Sequence, residues 1–470
     1  MAALLASWAR SEQSLRPHGK ALTHRGVLSS PSMPAVSLGA NRQAQIEREE
    51  KLAAFGHDSI GEHAVVHLAA DGVSLLVARA TLDSRTVSFV EKSGRAQAAQ
   101  AVSLVQPGGL DTPAARGAWQ EATERLLAVR LSIAAPLAEA TARLHPRSDD
   151  ESEASWNRRC ADIVRSVQRQ LLPLATRTDI ALTGNARGLR VLVDKLGARK
   201  EPEAKLLSES MLRAASPALP SLLHPRLEVK YRAGTDRAIA SWANELLDQA
   251  SSSAATASNR AKLVRTPDNV EARLVTAILY RFTDLPYGAV RTRVDELDQD
   301  ARTAVLDDYL RRRGRHDDPL RELEHVQYTF EVVLDGVALH EVQRHRISTR
   351  TPQEPSAAHG YLVDPEVVEA GVETMFRAAM DGGEAAFQLL SELAPSAAAY
   401  VLPLGFRQRV LITWNLRSLH HFVQQRSSRT GNRSVRHIAQ DVYREIERVH
   451  PVVARTLRVD LSGSDDPGGR

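Results

Sequence analysis

Residues 401–420, VLPLGFRQRVLITWNLRSLH, and residues 171–190, LLPLATRTDIALTGNARGLR, decide how this chain is built. At a constant offset of 230, with no gap, eight of twenty positions are identical: Leu172/Leu402, Pro173/Pro403, Leu174/Leu404, Arg177/Arg407, Thr183/Thr413, Asn185/Asn415, Arg187/Arg417 and Leu189/Leu419. Chance is a poor explanation for that, and the period is far too long for a solenoid. The upstream blocks agree in order. Glu62-His63 and Glu324-His325 each precede an expected strand, a helix and an arginine-bearing loop. The chain therefore reads as two copies of one α/β module.

Working outward, residues 41–56 have a helical pattern closed by Gly56. A strand is expected over Ala64 to Ala70, a short helix over Val73 to Ala80 and a loop over Arg85 to Arg95. Helices are expected at 116–146, 155–172, 178–196 and 203–214. Prolines at 217–230, a helix near 236–250 and the polar run SSSAATASNRA then separate the two modules. In the second half, helices are expected at 268–282, 288–298 and 301–313, and alternation of Val326, Tyr328, Phe330 and Val332 marks a strand. Further helices are expected at 365–380, 384–399, 404–425 and 433–448. The domains follow: a poorly ordered 1–40, modules at 41–230 and 266–460, a linker with a helix at 231–265, and a tail at 461–470.

Composition narrows the class. The apolar fraction of 43% and charged fraction of 25% are those of a soluble globular protein. No stretch approaches the roughly 18 apolar residues of a membrane span. The single cysteine, Cys160, allows no intrachain disulfide, fits a reducing compartment, and reads as a packing residue. No His, Asp or Glu grouping has metal-ligand spacing. A net charge of +4 is too small and dispersed to announce a nucleic-acid partner. The arginine- and serine-containing start has the composition of a transit peptide, but the expectation is a cytoplasmic protein with a loosely ordered start, translation from Met33 being an alternative.

The chemistry concentrates in GVALHEVQRHRISTRTPQEPSAAHGY, residues 336–361. Arg344, His345 and Arg346 follow an amphipathic helical run, with a proline- and serine-containing loop behind them. Guanidinium groups are permanently charged and bidentate toward phosphate, so a cluster at an element boundary suits a phosphorylated ligand. Alone, such a triplet is ordinarily a solvated face. In company with a Gly-His-x-Ser/Glu-His block, an Asn-x-Arg-Ser-Leu run and a later arginine, it resembles the flavin-dependent thymidylate synthases.

That resemblance covers roughly 40–215 and 268–450 and implies an α/β (α+β) fold, two tandem modules each with a small antiparallel-type sheet packed with several helices. It implies FAD-binding roles for Ser59, Asn185 and Arg187 in the first half, and for Arg344, His345, Arg346, Asn415, Arg417 and His421 in the second. It implies substrate-holding roles for Glu91, Ser93, Gly94, Arg95 and Arg169, and a substrate-activating role for Arg426. Each half departs from the pattern. The first has Asp83-Ser84-Arg85 at the triplet and Leu196 at the activating position. The second has Glu354 at the loop serine, with Ser356 close, Ala399 for an arginine, and Glu341 for the glutamine three places before the triplet. The losses are largely complementary, so a homodimer imitating the family's homotetramer, with each half supplying what the other lacks, is the expected assembly.

The implied reaction is reductive methylation of dUMP at C5 to dTMP, with methylenetetrahydrofolate and NADPH as co-substrates and no covalent cysteine. The alternatives are a methylase of another pyrimidine nucleotide such as UMP, and an inactive flavin- or nucleotide-binding homologue. Plainer readings stand beside these roles. Asn185 and Asn415, read as helix-interior residues, suit structural hydrogen bonds to a neighbouring strand, Glu62 and Glu324 suit capping or pairing with arginines, and His67 suits a strand face. His420 and His421 point about 100° apart on a helix, which makes chelation by the pair implausible.

Overall fold

The structure, a computed structural model, describes residues 58–92, 102–219, 228–247, 260–428 and 432–462. The helix read at 41–56 and the 93–95 loop lie outside them. In chain order, a 3-10 turn (Asp58–His63) leads to β1 (Val65–Ser74), α1 (Leu75–Leu82) and β2 (Val87–Glu91). Three helices follow, α2 (Pro113–Ser132), α3 (Ala134–Leu144) and α4 (Glu153–Gln170). Then come β3 (Arg177–Asn185), α5 (Ala186–Gly197), α6 (Pro202–Ala215) and α7 (Glu228–Leu246). The next elements are β4 (Ala261–Arg265), α8 (Val270–Tyr280), α9 (Tyr287–Glu296), α10 (Gln299–Arg311) and a second 3-10 turn (Arg321–His325). They lead to β5 (Gln327–Asp335), α11 (Gly336–Gln343) and β6 (Thr349–Pro352). The chain continues through α12 (Pro365–Glu369), α13 (Glu373–Leu393), α14 (Ala398–Val401), β7 (Arg407–Asn415), α15 (Leu416–Arg426), α16 (Arg433–Val449) and α17 (Pro451–Ala454).

Both sheets are antiparallel. One has the order β1-β3-β2, with Val65 opposite Asn185 and Val87 opposite Gly184. The other has the order β4-β5-β7-β6, with Gln327 opposite Asn415 and Thr349 opposite Thr413. The same sequence of 3-10 turn, strand, helix, strand, later strand and helix thus recurs, as the offset of 230 leads one to expect.

The compact units are not the two sequence halves. One unit is Met1–Leu110 with Ala175–Ser251; the other is Asp111–Leu174 with Ser252–Arg470. Helices α2 to α4 therefore pack with the second half, in place of the 41–230 and 266–460 division read from the sequence. Helix α2 lies along α13, and the two Leu-Pro segments pair with each other. Leu174 N–H donates to the Leu402 carbonyl at 2.9 Å, and Leu404 N–H donates to the Leu172 carbonyl at 2.8 Å. Gly383 lets α13 come this close: a Cβ there would stand 2.9 Å from Pro403 Cδ.

In the larger unit, Tyr328, Phe330 and Trp414 of the sheet and Phe422 of α15 are fully buried, with α15 and α16 packed on the sheet. Each such side chain contributes about 1.5–3 kcal/mol. In the smaller unit Val66, Val77, Val87, Leu182, Leu189 and Leu196 form the corresponding core.

Several expected elements differ. The runs read as single helices at 178–196 and 404–425 are each a strand followed by a helix. Gln408, Val410, Ile412 and Trp414 are buried in alternation, a period of two that only a strand satisfies. Asn415 then caps the helix that follows. The expected loop at 85–95 contains β2, whose Val87 packs under β3, and the loop behind the Arg-His-Arg triplet contains β6. Helix α13 runs straight through the break expected near residue 382, and the run at 116–146 divides at Ile133.

Candidate functional site

The triplet is delivered by a short helix. Asp335 caps α11, its side chain accepting from Ala338 N–H at 2.8 Å. The helix closes on tight turns, Arg344 N–H to the Glu341 carbonyl at 3.3 Å and His345 N–H to the Val342 carbonyl at 3.0 Å. The three side chains then part company. Arg344 is 67% exposed, Arg346 is half-buried, and His345 is turned into the protein.

His345 packs edge-on against Phe422, 5.2 Å between ring centroids, and against His421 at 5.4 Å. Burial, then the charges of Arg426, His421, Arg344 and Arg350, push its pKa down to about 3. It is neutral near pH 7. Its Nε2 accepts from Arg426 Nε at 2.8 Å, which puts the ring proton on Nδ1. Its carbonyl accepts from Ser348 Oγ and Arg350 Nη1, both at 2.9 Å. The triplet is thus two guanidiniums around a neutral imidazole.

Arg426 is the last residue of α15. Its Nη1 donates to Glu341 Oε2 at 2.6 Å and its Nη2 to the Glu341 carbonyl at 3.5 Å. Arg344 Nη1 stands 3.8 Å from the same Oε2. Glu341, read from the sequence only as a departure, therefore joins two of the candidate arginines.

The other candidates divide. Arg344, His345, Arg346 and Arg426 lie where α11 and α15 end, and His421, in the middle of α15, meets His345. Asn415 and Arg417 lie at the opposite end of α15, about 14–17 Å away along the helix at 1.5 Å per residue. Asn415 Oδ1 caps α15 by accepting from Ser418 N–H at 2.8 Å. Arg417 donates to the Pro319 carbonyl at 2.7 Å and to Glu324 Oε1 at 3.0 Å. Burial raises the Glu324 pKa, but hydrogen bonds from Arg417 and Arg321 hold it below the usual carboxylate range.

The first half repeats this arrangement. Asn185 Oδ1 caps α5 from Gly188 N–H at 2.8 Å, and Arg187 hydrogen-bonds Glu62. The plainer reading of Glu62 and Glu324 as residues that pair with arginines describes these contacts, whereas Asn185 and Asn415 are N-caps at strand–helix junctions and not helix-interior residues bonded to a neighbouring strand. Ser59 lies in the first 3-10 turn, and Glu91 ends β2, accepting from Thr178 Oγ1 at 3.0 Å. Leu196, at the activating position, is buried in apolar core. Arg169 lies in the last turn of α4; Ser93, Gly94 and Arg95 lie outside the described residues. His420 and His421 face different neighbours. His420 is buried against Arg313 Nη1 at 3.0 Å and Thr456 Oγ1 at 3.3 Å, whereas His421 meets His345.

A second polar cluster escaped the sequence reading. Glu366 accepts two hydrogen bonds from Arg433, at 2.7 and 2.9 Å, and pairs with His145 Nε2 at 2.7 Å. Gln170 Nε2 donates to Asp364 Oδ2 at 2.7 Å, and Arg433 stands 3.7 Å from Asp364. Burial would raise the Glu366 pKa, but His145 and Arg433 bring it to about 2. Burial raises Asp364 to about 6, against Arg433 and with the repulsion of Glu366 and Asp335. No sequence spacing signals a cluster drawn from α3, α4, α12 and α16.

A family model described as thymidylate synthase complementing protein matches residues 14–221 and 262–452. A UPF0159 protein of Chlamydia muridarum is 26% identical over 457 residues, 94% of this chain and 85% of that relative. A flavin-dependent thymidylate synthase of Sulfolobus acidocaldarius is 32% identical over 137 residues, 27% of this chain and 53% of the relative. Of solved structures, a flavin-dependent thymidylate synthase from Helicobacter pylori, complexed with FAD and dUMP, matches 43% of this chain and 100% of its own. Its identity is 20% and its TM-score 0.32. A UMP/dUMP methylase from Streptomyces cacaoi, bound with 5-Br dUMP, matches at 18% identity and a TM-score of 0.33. Matched once in each half by the same model, the chain belongs to the thymidylate synthase complementing protein family, the flavin-dependent thymidylate synthases.

Proposed function

We propose that this chain methylates a uridine nucleotide at C5, converting dUMP to dTMP with bound FAD, methylenetetrahydrofolate as one-carbon donor and NADPH as reductant. The supporting observation is the meeting of Arg344, neutral His345 and Arg426 at the ends of α11 and α15, in a chain of this family. The donor set fits FAD: the exposed fork of Arg344 and the half-buried Arg346 suit its phosphates, and exposed His421 flanks them. FAD, when bound, supplies the hydride.

Arg426 would face the uracil N3/O4 edge and stabilise the negative charge that collects there as electron density is pushed onto C5 to make it nucleophilic toward the one-carbon unit. Asn415 still has its Nδ2 donor after capping α15, and that donor would serve an acceptor edge of the flavin. Ser93 and Gly94 would cradle the nucleotide phosphate, with Arg95 clamping it. A cytoplasmic homodimer is the proposed setting; among the described residues no helix is long and apolar enough to cross a membrane.

The test is direct. Purified protein is expected to be yellow, to bleach with NADPH, and to turn over dUMP in preference to UMP; rescue of a thymidine auxotroph should follow. Colourless protein, with no FAD bound on titration, overturns the reading. A second reading, nucleotide binding without turnover, is favoured by the 2.6 Å Glu341–Arg426 pair, which occupies the activating arginine. Its signature is flavin and dUMP binding with no bleaching and no rescue.

A further inference from the structure

We infer that His345 is a positioning residue for Arg426: its side chain orients the activating guanidinium and is not a flavin ligand. The inference rests on the proposed function and deepens it, because it gives the middle member of the triplet a task different from that of its neighbours.

The geometry of α15 makes the case. Phe422 and Arg426 stand four residues apart and so share one face of that helix. His345 docks on that face. Its ring meets Phe422 edge-on, 5.2 Å between centroids, and its Nε2 accepts from Arg426 Nε at 2.8 Å. The backbone beneath the ring is tied on both sides. His345 N–H donates to the Val342 carbonyl at 3.0 Å, and its carbonyl accepts from Ser348 Oγ and Arg350 Nη1 at 2.9 Å each. His345 is 8% exposed, whereas the Arg344 side chain next to it is 67% exposed. A neutral imidazole has one accepting nitrogen, and Arg426 already occupies it.

Charge explains why an imidazole suits the place. Two contacts in different directions fix the guanidinium plane: Nε to His345, and Nη1 to Glu341 Oε2 at 2.6 Å. A second carboxylate in the position of His345 would hold Nε as well, but it would add a second negative charge beside a cation whose charge the chemistry uses. The ring accepts without doing so, because burial and the charge of Arg426 keep it neutral. It therefore orients Arg426 without opposing its charge.

The test compares the full-length wild type with His345→Gln and His345→Leu, each alone and combined with Arg426→Ala. Glutamine offers an amide oxygen in place of Nε2; leucine fills the space without an acceptor. H345L is expected to lower dUMP turnover by about 10–100-fold, the effect of a misplaced group. H345Q should stay within a few-fold of wild type, and FAD and dUMP affinities should change only a few-fold in both. In the R426A background the same replacements should alter the remaining turnover by less than about twofold, because nothing is left to orient. ¹⁵N NMR of the flavin-free protein at about pH 7 adds a readout that needs no turnover: Nδ1 protonated and Nε2 accepting, a preference lost in R426A. A wild-type ring protonated on Nε2 overturns the inference without any His345 variant, so poor folding of H345L does not protect it. Loss of FAD affinity by about tenfold or more in folded H345L, the usual effect of removing a direct ligand, also overturns it. So does an H345L effect as large in R426A as in the wild-type background. A wild type that binds neither FAD nor dUMP overturns the proposed function and the turnover effect of His345, while the tautomer still reads the Arg426 contact by itself.

Discussion

Pro173 lies opposite Pro403 in an antiparallel bridge, so equivalent residues of the two repeats face each other. The flanking hydrogen bonds are reciprocal, Leu174 to Leu402 and Leu404 to Leu172. Residue i meets j and j meets i, the relation expected across a two-fold interface between identical subunits, here realised within one chain. Helices from both repeats therefore share one compact unit.

Gly383 tests that packing. A Cβ there meets Pro403 Cδ at 2.9 Å and Cγ at 3.0 Å, and a proline ring has little freedom to move. Gly383→Ala is expected to lower stability by about 1–3 kcal/mol through overpacking. Its neighbour is the control. A Cβ at Gly382 would stand 3.6 Å from the flexible Arg125 side chain, so Gly382→Ala should be neutral or gain up to ~1 kcal/mol of helix propensity. Urea unfolding of both variants checks this; equal effects would deny the close approach at Pro403.

Arg417 distinguishes a structural tie from a cofactor ligand. It joins α15 to the 3-10 turn through Glu324 and the Pro319 carbonyl. Arg417→Ala is expected to cost about 1–2 kcal/mol, the worth of partly buried charge-assisted hydrogen bonds. Its counterpart Arg187 is 52% exposed, so Arg187→Ala should cost well under 1 kcal/mol. If Arg417 is also a flavin ligand, FAD affinity must fall beyond what the lost stability explains. FAD titration of folded R417A at low temperature reads that directly.

How much of this was legible in the sequence depended on spacing. The repeat register, the order of Glu-His block, strand and helix, and the Arg-His-Arg run at a helix end are local patterns, and the structure has them in that order. The strands β3 and β7 were not recognised because Asn185 and Asn415 sit inside runs whose second half is helical. A window across the junction mixes a period of two with one of 3.6. Nor did the sequence foretell that Glu341 would reach Arg426, 85 residues on, or that Glu366 would gather His145 and Arg433. Such pairs are made by packing, and composition carries no trace of them.

The Asp364–Glu366 cluster has opposing pH signatures. Glu366 is depressed to about 2, so its stabilisation is present above its unfolded pKa of 4.5 and fades as pH falls toward 2. Asp364 is raised to about 6, so its contribution is complete below its unfolded pKa of 3.8 and is lost as pH rises through 6. Asp364→Asn keeps an acceptor for Gln170 and removes the charge of a partly buried carboxylate. It is expected to gain about 1 kcal/mol relative to wild type at pH 8, and to lose that advantage at pH 4–5. Melting temperatures across pH 4–8 check the sign. An advantage independent of pH would mean that Asp364 is not the titrating group.

Arg426 is the strongest test of the proposed chemistry, and lysine is the informative replacement. Lysine keeps the positive charge but not the planar fork, so it cannot serve His345 Nε2 and Glu341 Oε2 together as Nε and Nη1 do. If Arg426 stabilises charge developing on the pyrimidine, Arg426→Lys should lower turnover by about 10²–10³, the usual effect of losing one preorganised donor. dUMP affinity should change far less, because the lost interaction belongs to the transition state. Glu341 would keep a cationic partner, so the urea midpoint should move little, separating this outcome from unfolding. Arg377→Ala is the control: Arg377 is half exposed and paired with Glu373 on α13, and its loss should leave turnover unchanged. Equal activity of R426K and R377A would remove Arg426 from the reaction.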